Sequence, residues 1–213
     1  MTQMNNQESP RDRDSEPVQS FVTEVAEIRR RARRHIRNGA VTPGEGAHRD
    51  TVVQLLNEAL ASELVCVLRY KRHYFMAGGA LAEAIRDELL EHAKEEQGHA
   101  DRLAERIVAL GGAPNFNPEG LSGGSHSEYL EGETLTDMLA EDLIAERIAI
   151  ESYREIIQYL GAHDCTTRRL FESILAVEEA HAGGIRSMRE DMLRRDRGGA
   201  AQEGAAVPAG GLQ

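Results

Sequence analysis

Apolar residues recur with a helical period along four long stretches of the chain. The first runs from about Asp50 to Met76 and stops at Gly78-Gly79; the second runs from about Leu81 to Leu110 and stops at Gly111-Gly112. The third runs from about Thr134 to Leu160, ahead of Gly161. The fourth begins behind Asp164, a good N-cap, and fades near Arg195. A shorter pattern, Phe21, Val25, Ile28, Ala32 and Ile36, predicts one more amphipathic helix, closed by Asn38-Gly39. The connections after the first and third long helices are short. Between the second and third lies "GGAPNFNPEGLSGGSHSEYLEG", rich in Gly, Pro and Asn. A helix of about 27 residues is about 40 Å long, and extended chain covers about 3.3 Å per residue, so this connection is long enough to cross a bundle from end to end. The pattern predicts an all-α fold of two hairpins joined by one long crossover.

The core stripe of each long helix is interrupted at its middle. The first reads Val52, Leu56, Ala59, Glu63, Val67, Tyr70, and the second Ile85, Leu89, His92, Glu96, His99, Leu103, Leu110. The third reads Leu135, Leu139, Glu146, Ile150, Tyr153, Ile157, and the fourth Phe171, Ile174, Glu178, His181, Ile185, Met188. A buried, unpaired carboxylate costs at least several kcal/mol, so four in one core need compensating positive charge. The interruptions also repeat. Glu63 to Glu96 is 33 residues and Glu146 to Glu178 is 32; both second helices carry Glu-x-x-His, "EQGH" at 96–99 and "EEAH" at 178–181. Tyr70 and Tyr153 each follow a stripe Glu by seven residues. One Glu-x-x-His is a weak signal, because surface helices are full of Glu. Two of them, each trailing a stripe Glu on four long helices, point to four carboxylates and two imidazoles around two divalent cations. His92 reads as a satisfied core histidine before it reads as a ligand. Tyr70 and Tyr153 read as core residues whose hydroxyls bond the carboxylates, with a redox role as the second reading.

Composition narrows the class. The chain has 213 residues, no Trp and 4% aromatics, which favours helices over sheets. Residues 1–17 are polar and expected to be disordered, 18–47 hold the arginine-rich helix and a linker, 48–195 form the four-helix domain, and 196–213 a flexible Gly/Ala-rich tail. The formal net charge of −11 makes a poor default nucleic-acid binder and a fair attractor of cations. Accordingly "RRRARRH", Arg29 to His35, reads as a solvated face pairing with acidic helices before it reads as a grip on DNA. No run of about 18 apolar residues is present, so no membrane span is expected, and the first residues lack the apolar segment of a signal peptide, so a cytosolic place is expected. Two cysteines give no disulfide framework. Cys66, one turn beyond Glu63, should border the metal site; Cys165 should lie about 20 Å away along the bundle, more exposed, and unpaired with Cys66.

The segments "NEALASELVCVLRY", "EHAKEEQGHADRLAERI", "AEDLIAERIAIESYRE" and "ILAVEEAHA" resemble the four helices of bacterioferritin and related ferritin-like di-iron proteins, over roughly residues 50–194. The resemblance implies that Glu63 and His99 bind one iron, that Glu146 and His181 bind the other, and that Glu96 and Glu178 bridge them. It further implies oxidation of Fe(II) by O2 or peroxide, and storage of the ferric product in a homo-oligomeric shell. Where bacterioferritins place a haem-ligating Met after the bridging Glu of the second helix, this chain has Gln97, so no haem is expected. The tail offers no counterpart to the short fifth helix of large ferritin cages. Gly183-Gly184 interrupt a good helix just after His181 without an evident reason. The alternatives are a rubrerythrin-like peroxidase or a manganese catalase, since the same ligands suit Mn(II), and a DNA-protecting mini-ferritin using the arginine-rich helix. The mini-ferritins build their metal site between subunits, whereas here one chain carries all six ligands. A docking role for the tail ranks last.

Overall fold

The computed structural model describes residues 25–34, 48–78 and 82–204, the side chains of Arg34 and of 196–204 excepted. The chain divides into two units, Met1–Ala40 and Val41–Gln213. In the first, helix α1 spans Val25–Arg34. Its Arg30 is tied to Glu27 one turn earlier, Nε to Oε2 at 2.6 Å. Phe21, Ile36 and Asn38 lie outside the described residues.

The second unit is built of α2 (Arg49–Met76), α3 (Ala82–Ala109), α4 (Pro118–Gly124), α5 (Leu135–Leu160) and α6 (Cys165–Gly204). α2 pairs with α3, and α5 with α6; α2 also faces α5, α3 faces α6, and α4 rests on α2. This is the predicted pair of hairpins. The crossover passes over α2 and contains a helical turn that apolar spacing does not reveal. Local chemistry explains α4. Asn117 caps it by accepting from Glu119 N, and Pro118 stands at the first helical position, where its missing N–H costs nothing. Thr134 and Asp137 form a capping box that starts α5. Asp164 Oδ1 accepts from Thr167 N at 3.0 Å, the N-cap bond that starts α6. At the end of α3, Gly111 takes φ 73°, and a Cβ on Gly112 would sit 2.7 Å from Val53 Cγ1, so the turn closes against α2 only with glycine there.

α6 departs from expectation. It runs past Arg195, through Gly198 and Gly199, to Gly204. Apolar spacing has ended by then, but Arg, Ala, Gln and Glu in this stretch are good helix formers. The flexible tail expected over 196–213 is therefore helical over 196–204, and 205–213 lie outside the described residues.

Two apolar clusters fill the bundle, one on each side of a polar middle. Leu56, Leu60, Leu103, Ile107, Tyr153, Phe171 and Ile174 belong to one; Tyr70, Leu89, Ala93, Leu139 and Ile185 belong to the other. Leu56 and Leu103 are fully buried, and truncating either to Ala costs about 2–5 kcal/mol. Among the described residues α2 alone is long and apolar enough to cross a membrane, but Leu56, Leu60 and Tyr70 on it are core residues, and Glu63 stands in their midst.

Candidate metal centre

The polar middle is where the interrupted stripes meet. α2 supplies Glu63, α3 Glu96 and His99, α5 Glu146, and α6 Glu178 and His181, all buried. Residues three apart in a helix share a face, so each Glu-x-x-His turns both side chains inward. The six converge as two overlapping groups of four. Glu63, Glu96, His99 and Glu178 form one, and Glu96, Glu146, Glu178 and His181 the other; in each group one ligand atom per residue lies within 4.8 Å of the rest. Glu96 and Glu178 belong to both. His99 Nδ1 is 3.0 Å from Glu178, 3.3 Å from Glu96 and 3.5 Å from Glu63. His181 Nδ1 is 3.1 Å from Glu96, 3.5 Å from Glu178 and 4.0 Å from Glu146.

Four carboxylates this close cannot all be charged without help. Burial, then the charges of Glu63 and Glu178, hold the Glu96 carboxyl far above its usual range; burial and Glu178 do the same to Glu146. Glu178 goes the other way. Burial opposes its charge, but the imidazoles of His181 and His99 beside it outweigh that and bring the group down to about 2. For His99, burial also works against the cation, yet the carboxylates of Glu178, Glu63 and Glu96 beside it push it up to about 12. His181 rises to about 9 for the same reasons. Without metal, two imidazolium ions and protonated carboxyls hold the centre together. The donor set suits hard-to-borderline divalent ions such as Fe(II) and Mn(II). Buried Glu178 Oε1 approaches His99 Nδ1 at ion-pair distance but makes no aligned hydrogen bond, which leaves a lone pair facing the centre. A pair of divalent cations would replace the protons.

The surroundings cross-link the halves. Tyr70 on α2 donates to Glu146 on α5, and Tyr153 on α5 donates to Glu63 on α2, as expected of both tyrosines. Burial holds both phenols well above their usual range, so they stay neutral donors. His92 is buried, stacked on His181 with centroids 4.0 Å apart and edge-on to Tyr70 at 5.3 Å. Burial, then the neighbouring His181, lower it to about 4, so it is neutral. It is not the satisfied core histidine of the sequence reading, for its Nδ1 has no hydrogen-bond partner. Cys66 is buried, 3.4 Å from Arg69 Nη2, and burial raises its thiol far from reactive range; Cys165 is exposed, and both thiols are free. Gln97 donates to Asp101 at 2.9 Å.

Two features were missed. Glu95 Oε2 lies 2.5 Å from His181 Nε2. Arg69 Nε reaches Asp142 at 3.0 Å, His73 Nδ1 reaches Asp142 at 2.9 Å, and all three residues are buried. Asp142 stands one turn before Glu146, and Arg69 and His73 lie on either side of Tyr70 in the sequence.

Comparison with known proteins places the chain in a family. The family profile described as a ferritin-like domain matches residues 53–194. The bacterioferritin of Brucella melitensis is 34% identical over 133 residues, 61% of this chain and 77% of that protein. The bacterioferritin of Rhodobacter capsulatus is 31% identical over 131 residues, with the same coverage. Among solved structures, a dodecameric thioferritin, the bacterioferritin-related protein of Bacteroides fragilis, matches with a TM-score of 0.68 and 28% identity over 71% of this chain and 91% of that one.

Proposed function

The chain belongs to the ferritin-like domain family, and from that premise we propose that it is a ferroxidase, oxidising Fe(II) at an intrasubunit dinuclear centre for iron storage or detoxification. The observation that carries this reading is the pair of four-ligand groups sharing Glu96 and Glu178. In it, Glu63 and His99 hold one iron and Glu146 and His181 the other, with Glu96 and Glu178 bridging. Two Fe(II) together supply the two electrons that reduce O2 to peroxide, or peroxide to water. The protein's part is positional. Six ligands for two metals leave coordination positions open for the oxidant, and carboxylates can shift between bridging and terminal modes. Tyr70 and Tyr153 hold one oxygen each of Glu146 and Glu63, which fixes the lone pairs left for metal. The likeness to a dodecameric thioferritin supports a homo-oligomer. Gln97 leaves no thioether for haem.

The test is anaerobic loading followed by air. Fe(II) added in steps should give a fast ferric absorbance that saturates at two irons per chain, and sizing should report an oligomer. Mn(II) and peroxide in a parallel series would show whether the alternative chemistry is faster. Full binding of two irons by the Glu96→Ala/Glu178→Ala double variant would sink the assignment.

A further inference from the structure

The two imidazoles of the centre are held differently. His181 turns Nδ1 toward Glu96 at 3.1 Å and Nε2 toward Glu95 at 2.5 Å. A carboxylate on one ring nitrogen keeps the proton there and leaves the other nitrogen to ligate. The same ring is stacked on His92, with planes inclined by 24°. One nitrogen and one face of His181 are committed before any metal arrives. His99 lacks this support. Its Nδ1 faces Glu63, Glu96 and Glu178, and among the described residues no carboxylate outside the centre comes within ion-pair reach of the ring. The cause is in the sequences of α3 and α6. The residue before Glu96 is Glu95, but the residue before Glu178 is Val177. Four positions before Glu96 stands His92; four before Glu178 stands Ile174, buried in the apolar core.

We propose that Glu95 is a positioning residue for His181 and makes the Glu146–His181 half of the centre the tighter one, the half that a divalent cation fills first. This rests on the dinuclear reading above. The hydrogen bond fixes the tautomer, orients the ring and raises the basicity of Nδ1; a partner of this kind is worth about 10–100-fold in metal affinity. His99 must instead be oriented by the ligands it shares the metal with. The Glu95 side chain is 44% exposed, so replacing it leaves the core intact.

The experiment is anaerobic Co(II) titration of the chelator-stripped full chain, followed by calorimetry and d–d absorption. Wild type should bind in two resolved steps. Glu95→Ala should weaken the first step about 10–100-fold and leave the second unchanged, so the steps merge. Glu95→Gln keeps an acceptor oxygen and should recover most of the loss. His181→Ala should remove the tight step and His99→Ala the weak one. Glu95→Ala with both steps unchanged, or with only the weak step shifted, overturns the positioning role. Loss of the tight step in His99→Ala overturns the order of filling. Fewer than two Co(II) per wild-type chain is a different failure, because it removes the dinuclear reading and this inference with it.

Discussion

Matched residue for residue, the α2–α3 and α5–α6 hairpins are near copies: Glu63 answers Glu146, Glu96 answers Glu178, His99 answers His181, and Tyr70 and Tyr153 each bond the other hairpin's unshared glutamate. Their supports are not copies. Around His181 stand Glu95 and His92; the matching positions on α6 are Val177 and Ile174. Near Glu146 lies the buried Arg69–Asp142–His73 cluster, whereas the buried pair that joins α3 to α6, Arg106 with Asp164, lies at the start of α6. The difference teaches what each part is constrained by. Two cations need four negative charges and two neutral nitrogens whichever hairpin supplies them. Support depends on what covers each helix, and that differs between the two halves.

The largest expected effect contrasts the two shared glutamates in the metal-free protein. Glu178 carries a charge that both imidazolium ions share, so Glu178→Gln breaks a buried ion pair with each and should cost about 3–5 kcal/mol. Glu96 sits in a position that burial and like charges make hostile to its carboxylate, so Glu96→Gln should be neutral or stabilising. Urea unfolding in chelator measures both, and equal losses would show that the two positions are not electrostatically distinct.

Next comes pH. His181 has its imidazole raised to about 9, above the unfolded value of about 6.5. Its contribution is fully present below pH 6.5 and is lost as pH rises through about 9. Raised Glu96 and Glu146 act in the same sense. The metal-free protein should therefore lose about 1–3 kcal/mol between pH 6.5 and 9, and bound Zn(II) should flatten that slope. Melting in chelator at three pH values decides the sign; stability that climbs over this window contradicts the charge assignment.

Smaller still is the tyrosine pair. Tyr70→Phe and Tyr153→Phe each remove one buried donor to a carboxylate, about 1–3 kcal/mol. Phe keeps both rings, the one edge-on to His92 and the one against Phe171, so the two losses should be similar. No loss in either variant would mean that the hydroxyl bond to the carboxylate contributes nothing.

The helix spans and the six inward residues were legible because each Glu or His broke an apolar stripe, and a stripe is what a helix packs with. Glu95 was not legible: it lies off the stripe and is half exposed, like any solvated glutamate, and only the approach of α6 makes it a partner of His181. Arg69 and His73 failed for a related reason. They sit off the apolar stripe, and burial reaches them because the crossover lies over them. Glu128 O accepts from Arg69 Nη1, and Glu131 O lies 3.0 Å from His73 Nε2. Periodicity within one helix carries no information about which loop will cover its outer face.

The smallest effect concerns glycines beside the two histidines, Gly98 on α3 and Gly183 and Gly184 on α6. All three are exposed, and a Cβ at any of them meets nothing within 4 Å. Inside the subunit nothing requires glycine, and Gly in a helix interior costs about 0.5–1 kcal/mol relative to Ala. Gly98→Ala, Gly183→Ala and Gly184→Ala should each raise stability by about that amount in a denaturant titration, with metal binding unchanged. The pair on α6 adds a sharper question, since two adjacent glycines weaken the helix that carries His181 more than one weakens the helix that carries His99. If Gly183→Ala/Gly184→Ala stabilises the chain and leaves its size on a sizing column unchanged, the pair is simply a weak point in α6. If the same variant breaks the oligomer, the bare backbone there is packed by a second copy, and the reading of these glycines as unconstrained fails.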